Sequence, residues 1–423
     1  MAAAFALVLP ACGGAGPAEA PRNLLLLTID TLRADHLSVY GYHRATSPHI
    51  DRLAGEGVVF ERAYSVASWT LPSIASLMTS LYPSAHACQS DRSALGTPHA
   101  TLAEHLALFG FRTAAVTSHL YLSSKYGLEQ GFAQFDEELV QQNRRSSHAA
   151  VTSPAITEKG LAFLEERARL GAGERWFLWL HFFDPHSEYK EHPGTIEPFG
   201  SGPMDRYDGE ISFTDRHVGR VLARLDELGL AQDTLVVLIA DHGEEFMDHG
   251  GGGHRATLYD EVLRVPLILR AATLRPARVL APVSCVDLLP TLCELLDVAA
   301  PGGVQGRSLA ALLRGDVLAP RALLAEMRNR TKRDWDGLVE GQFKLLHDVT
   351  NDRRQLFDLV ADPRELDDIA ADHPELVDSM WARMQAMIAA SAEHASRQGE
   401  MPTVELMPED QRALDQLGYG GED

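Results

Sequence analysis

Cysteine is scarce, with four residues in 423: Cys12, Cys88, Cys285 and Cys293. Their number and spacing offer no zinc motif and no dense disulfide framework, so free buried thiols are expected. Positive charge is also short, with 38 Lys plus Arg against 59 Asp plus Glu and a formal net charge of −21. That balance argues against nucleic acid as a partner and leaves carboxylates for binding cations. After the first twenty residues no apolar run reaches the roughly 20 residues that span a bilayer. No internal repeat is evident.

What is present is ordinary for a globular enzyme: 45% hydrophobic and 23% charged residues. A chain of this length calls for a large domain plus a smaller one. The first stretch, 1–20, is small, apolar and then rich in Gly, Ala and Pro, which reads as an export signal and linker. Within it, Leu9-Pro10-Ala11-Cys12 resembles a bacterial lipobox, in which Cys12 would carry a lipid anchor. The expected location is therefore the periplasm or cell envelope of a bacterium. No Lys or Arg precedes the apolar run, a departure from the usual export pattern.

Continuous apolar runs end in polar residues again and again. Asn23–Ile29 stops at Asp30, 112–118 at His119, 176–183 at Asp184, and Thr234–Ala240 at Asp241-His242. Such runs suit strands buried on both faces of a parallel sheet, and helical patterns at 101–109 and 209–228 alternate with them. The fold expected is α/β, a large mostly parallel sheet with helices on both faces, followed by a smaller C-terminal α+β subdomain. The expected boundaries are 21–315 for the catalytic domain, 316–395 for the subdomain and 396–423 for an acidic tail. Ligands of such sheets bind beyond the carboxyl ends of the strands, where Asp30, His119, Asp184, His186, Asp241 and His242 all fall. In 64–82 the apolar positions Ile74, Leu77, Met78 and Leu81 share one helical face. Pro72 fits the first helical position, which puts Thr70 just before a helix N-terminus, where a bound oxyanion is favoured.

With these residues in view, IDTLRADHLSVYGY, SWTLPSIASLMTSLYP, HFFDPHSEY and LVVLIADHGEEFMDHGGGGH together resemble the sulfatase branch of the alkaline phosphatase superfamily. The resemblance implies one divalent metal, calcium, manganese or zinc, held by Asp30, Thr70, Asp241 and His242. It implies Thr70 as nucleophile, His186 as the acid that protonates the leaving oxygen, and His119, His181 and His254 as substrate-binding groups, with His181 an alternative acid. A second metal through Asp184, His186, His249 and His254 stays open.

Two departures qualify the match. Asp30-Thr31 stands where sulfatases carry Asp-Asp. Thr70 and Ile74 stand where they carry a formylglycine precursor and an arginine. Threonine cannot become that aldehyde, so a direct attack on a phosphate mono- or diester is expected, through a phosphothreonine. The substrate expected is an anionic ester on a glycan, lipid headgroup or small molecule. The alternatives at this stage are a sulfuric ester hydrolase, a headgroup phosphotransferase, and an inactive lipoprotein that binds a glycan or lipid.

Overall fold

The computed structural model describes residues 19–143, 151–171, 173–186, 188–192, 199–328, 333–399 and 401–416. The leader and Cys12 lie outside the described residues. Among the described residues, no helix is long and apolar enough to cross a membrane.

Eight strands form the main sheet: β1 (Asn23–Ile29), β2 (Val58–Phe60), β3 (Phe111–Val116), β4 (Gln134–Asp136), β5 (Arg175–Phe182), β6 (Thr234–Ala240), β7 (Leu267–Arg270) and β8 (Ala277–Val279). Their order is β8-β2-β7-β6-β1-β5-β3-β4. β1 lies between β6 and β5, parallel to both, and every residue of β1 and β6 is buried. This double burial is why both read as unbroken apolar runs. β7 is antiparallel to both its neighbours. Pro266, which has no N–H to give a ladder, separates the short strand Arg264–Val265 from β7.

The helices that matter for the site are α1 (Pro48–Gly55), α2 (Thr70–Thr79), α3 (Leu102–Leu108), α4 (Ser153–Leu170) and α5 (Pro203–Glu227). Thr101 and Glu104 form a capping box that starts α3. α5 starts earlier than the periodicity suggested, with Pro203 at its first turn. Beyond them lie α6 (Leu288–Leu295), α7 (Pro374–Ser396) and α8 (Pro408–Gln416). The three cysteines among the described residues are free and buried, as composition implied.

The C-terminal part is an antiparallel sheet in chain order: β9 (Leu323–Met327), β10 (Trp335–Glu340), β11 (Phe343–Asp348) and β12 (Arg353–Asp358). A buried lysine joins it to the larger domain, with Lys344 Nζ 2.8 Å from Asp260 and 2.9 Å from Glu365. The stretch 401–416, expected as a loose acidic tail, is docked. Val404 N–H donates to Arg92 O (2.8 Å), Ser93 and Thr403 form a bridge, and Val404, Asp410, Ala413 and Leu414 are buried. Its acidic composition hid an apolar face.

Glu326 on β9 also joins the two parts, accepting Ser84 N–H (3.0 Å) and Ser84 Oγ–H (2.8 Å). Burial pushes its carboxyl up from 4.5 to about 7. An acid whose folded pKa lies above its unfolded value costs stability once ionised in the fold. Its contribution is therefore intact below about 4.5 and lost as pH rises toward 7. Glu326→Gln keeps an acceptor without the charge. The variant is expected to lose part of the fall in melting temperature between pH 5 and pH 8, measured by thermal scans of both proteins.

Candidate metal and ester site

The register of the central strands builds the site. Ile29 of β1 pairs with Ala240 of β6, so the next residues, Asp30 and Asp241, emerge side by side. Asp30, Asp241 and His242 are fully buried and offer ligand atoms all within 4.8 Å of one another. His242 Nε2 lies 3.6 Å from Asp30 Oδ1 and 3.4 Å from Asp241 Oδ2. Neither of those two oxygens has a hydrogen-bond partner among the described residues.

The remaining atoms of the three residues are engaged. Asp241 Oδ1 accepts Thr31 N–H (3.2 Å) and His242 N–H (2.9 Å). His242 Nδ1 donates to Gly243 O at 2.9 Å, which leaves the Nε2 lone pair turned toward the carboxylates. Burial, then the Asp241 charge, pushes the Asp30 carboxyl well above its ordinary value. Burial works to lower the His242 pKa, but Asp241 and Asp30 outweigh it and raise it. Two orphaned carboxylate oxygens and an imidazole nitrogen in a buried pocket are the donor set of a divalent cation, and these residues fit one.

Thr70 is the first residue of α2, and its Oγ1 is 3.3 Å from His242 Nε2. The helix begins two residues earlier than expected. Pro72 is third, still within the first turn, where a missing N–H costs nothing. All ten residues of α2 are buried, and Ser73 Oγ donates to Asp241 O at 2.5 Å, fastening the helix to the Asp241 loop. Thr31, at the place of the expected second aspartate, has φ 53° and a buried hydroxyl with no hydrogen-bond partner among the described residues. A β-branched residue in that region is strained, and Tyr207 OH holds it by donating to Thr31 O at 2.6 Å.

His181 sits behind Asp30. Trp179 Nε1–H donates to Thr28 Oγ1 (2.8 Å), whose own proton goes to His181 Nδ1 (2.7 Å). His181 Nε2–H therefore points at Asp30 Oδ2, 3.3 Å away, and burial lowers its pKa to about 4. Both ring nitrogens are used inside the protein.

The other histidines form a wall. Ring centroids run from His242 to His254 (4.7 Å), His254 to His186 (4.9 Å) and His186 to His119 (5.8 Å). His254 Nδ1 lies 3.0 Å from Glu244 Oε1, and Tyr189 OH donates to Glu244 Oε2 at 3.1 Å. The carboxylate accepts from Nδ1, which leaves His254 Nε2 without a proton. His119 is the reverse: Nδ1 accepts Tyr121 N–H at 3.1 Å, so Nε2 carries the proton. Burial holds the pKa of both His119 and His254 well below the ordinary value. His186 stacks on Phe183 at 4.8 Å.

Two residues considered for a second metal are elsewhere engaged. Asp184 caps α4, accepting Thr152 N–H (2.9 Å) and Ser153 N–H (2.7 Å) and both hydroxyls. His249 bonds Glu261 (2.5 Å) and Glu365 O (3.2 Å) and stacks on Tyr259. His249 and His254, both considered for that second metal, are each claimed by a different glutamate, Glu261 and Glu244. Arg33 braces the first loop through Glu244 O (3.0 Å) and Asp248 (2.9 Å). Sequence reasoning missed Glu244, the second residue past the Asp241-His242 pair, and Arg255. A cavity of about 750 Å³ against edge strand β4 lies apart from all these groups, lined by Phe135, Lys159 and Phe163.

The family model described as Sulfatase matches residues 22–298, and that described as N-sulphoglucosamine sulphohydrolase, C-terminal, matches 249–390. Steryl-sulfatase of Mus musculus is 26% identical over 422 residues, covering 71% of this chain and 66% of its own. Arylsulfatase A of Homo sapiens is 26% identical, covering 77% and 74%. The chain thus spans about two thirds to three quarters of these relatives. In fold it is similar to the phosphonate monoester hydrolase of Agrobacterium radiobacter, with TM-score 0.73, 20% identity and coverage of 88% and 96%. A structure in complex with its substrate D-glucosamine-2-N,6-O-disulfate gives TM-score 0.72, 18% identity and coverage of 90% and 100%.

Proposed function

The chain belongs to the sulfatase family of hydrolases, and on that footing we propose that it hydrolyses phosphate esters with one divalent metal and Thr70 as direct nucleophile. The observation that carries this reading is the placement of Thr70 Oγ1 at 3.3 Å from the nitrogen that faces two orphaned carboxylate oxygens. The metal would be held by Asp30, Asp241, His242 and Thr70. When bound it lowers the pKa of the threonine hydroxyl and offsets the negative charge of the ester. The mixed oxygen and nitrogen donor set suits manganese or zinc better than calcium.

In the first step Thr70 Oγ attacks phosphorus in line with the leaving oxygen. The Oγ–P bond forms, the ester P–O bond breaks, and the Thr70 proton passes to His254 Nε2. His186 gives its proton to the departing alkoxide. In the second step water attacks the phosphothreonine, His186 takes the water proton, and Thr70 Oγ recovers its proton from His254. His119 Nε2–H donates to a non-bridging oxygen. His181 acts through Asp30 as a positioning residue. Anionic esters on a glycan, a lipid headgroup or a small molecule all satisfy these contacts, and an acceptor alcohol in place of water makes the same site a phosphotransferase.

A second reading, sulfate-ester hydrolysis, is favoured by relatives that are mainly sulfatases. It requires Thr70 to act without an aldehyde. Purified protein with added manganese or zinc, assayed on aryl phosphate and aryl sulfate esters, separates the two. Phosphate ester turnover is expected. Sulfate ester turnover alone would overturn the phosphoester assignment.

Glu244 supplies an independent check, because its carboxylate sets the His254 tautomer. Glu244→Gln is expected to lower kcat by about 100-fold at saturating metal, with KM little changed. The measurement is a kcat pH profile, in which the limb assigned to His254 moves.

A further inference from the structure

A belt of side chains joins the two ends of the site's wall. Tyr121 is fully buried, and its ring stacks on His119 at 5.2 Å and meets Trp69, the residue before Thr70, edge-on at 5.3 Å. Its hydroxyl donates to Asp91 Oδ1 at 2.6 Å. The same oxygen lies 2.8 Å from Arg255, whose guanidinium covers Trp69 at 4.2 Å and whose N–H donates to Ser68 O at 3.0 Å. His119 and the start of α2 are therefore held by one set of contacts that runs through Tyr121 and Asp91.

The belt is secured from outside. Asp91 is partly exposed and sits in the tight turn 90–93, where Ser93 N–H and Ser93 Oγ–H both donate to Ser90 O (3.0 and 2.8 Å). The segment 401–416 lies along this turn: Ser93 and Thr403 form a bridge, Val404 N–H donates to Arg92 O, and Ala94 N–H donates to Pro402 O at 3.1 Å. Its helix α8 packs on the one-turn helix Leu120–Leu122, which starts directly after His119 and contains Tyr121. Just beyond that turn Lys125 forms an ion pair with Asp410, whose side chain is fully buried. The segment follows residue 390, where the family match ends, and its hold is slight. Its buried apolar side chains are Val404, Ala413 and Leu414, and Gly399, with φ 85°, leads into it. A segment with so few buried contacts can open while the rest stays folded.

We propose that 401–416 is a clasp on the ester site. Docked, it fixes turn 90–93 and the Leu120–Leu122 helix, and through Asp91 and Tyr121 it sets the spacing between Thr70 and His119. Released, it lets that spacing drift and turnover falls, because a misplacement of about 1 Å far from the chemistry is enough to slow a reaction. Asp410 and Lys125 are positioning residues in this scheme, and the inference rests on the roles of Thr70 and His119 given above. Asp30, Asp241 and His242 follow β1 and β6 and lie outside the belt, so metal binding survives release.

The test uses the manganese-loaded full chain and two variants that loosen the clasp at different points. Asp410→Asn removes the charge that faces Lys125. Gly96→Val adds a Cβ that would lie 3.0 Å from Met401 Sδ and 3.3 Å from Pro402 Cδ. In both, amide hydrogen exchange read by mass spectrometry is expected to quicken about tenfold in 401–416, in 90–96 and in 119–126. With whichever aryl ester the wild type hydrolyses, kcat is expected to fall about tenfold, while KM and the manganese Kd stay within about twofold. Asp410→Glu keeps the charge and is expected to recover most of the rate. Faster exchange in 401–416 with kcat unchanged overturns the proposal, as does a slower rate accompanied by an equal loss of manganese affinity, or wild-type exchange in both variants. If no ester is hydrolysed, the reading of Thr70 fails by itself and exchange still decides the clasp. Release of 401–416 that leaves 90–96 and 119–126 protected refutes it, and joint loss of protection upholds it.

Discussion

Thr70→Ala is expected to lower kcat on a phosphate ester by about 10³-fold or more while the protein stays folded, because no other hydroxyl occupies the first position of α2 beside His242. Thr70→Ser keeps the oxygen and drops a methyl group, and about a tenth or more of the activity is expected to remain. The comparison is informative because the side chain is small and fully buried. Losing it leaves a hole of only a few atoms, and Ser73 still fastens the helix to Asp241 O. Steady-state kinetics with circular dichroism on the three proteins checks this. An alanine variant within tenfold of the parent would remove Thr70 from the chemistry.

Metal removal should have an effect of similar size on turnover and an opposite one on stability curves at low and high pH. In the metal-free fold Asp30 has a raised pKa, chiefly from burial and then from Asp241. Its cost is absent below the unfolded carboxylate pKa of 3.8 and grows as pH rises toward the folded value, so metal-free protein loses stability in that direction. Metal ligands must be deprotonated, so binding strengthens with rising pH and cancels the loss. Manganese or zinc at about 1,000 times its Kd is expected to stabilise the fold by roughly 4 kcal/mol. Melting temperatures with chelator and with added metal at pH 5.5 and 8 measure this. Asp241→Asn, which removes one of the two orphaned oxygens' charges, is expected to abolish the metal-dependent rise.

Much of this site was legible in the chain because of one physical regularity. Strands buried on both faces have to be apolar throughout, so the first polar residue marks the strand end, and in a parallel sheet neighbouring strand ends lie together. That places Asp30, Asp241 and His242 at one mouth before any coordinate is known, and the observed pairing of Ile29 with Ala240 follows the same rule. Such local signals mark the strand ends; the metal ligand set is what the resemblance to sulfatases implies, and the order of the strands was not read from the sequence.

Partner choice among polar groups was not legible. Asp184 ends its strand as Asp241 does, yet it turns to cap α4, because Thr152 and Ser153 present two N–H groups and two hydroxyls to it. His249 and His254 are five residues apart with a glycine run between, and only the positions of Glu261 and Glu244 decide which faces the site. His181 reads as a substrate contact until Thr28 and Trp179 are seen to fix its tautomer toward Asp30. The docking of 401–416 escaped notice because its few buried apolar side chains, Val404, Ala413 and Leu414, are scattered among acidic ones. Each of these cases depends on contacts between residues far apart in the chain, which periodicity and composition do not encode.

The most direct test of Thr70 as nucleophile is acid-quench mass spectrometry of the protein after brief mixing with an activated aryl phosphodiester and manganese. Proteolysis after Arg62 and Arg92 isolates the peptide 63–92, which carries Thr70. A phosphoryl adduct on Thr70, absent without metal and absent in Thr70→Ala, is the expected result. Turnover with no adduct on that peptide at any quench time, and with Thr70→Ala still active, would contradict the account.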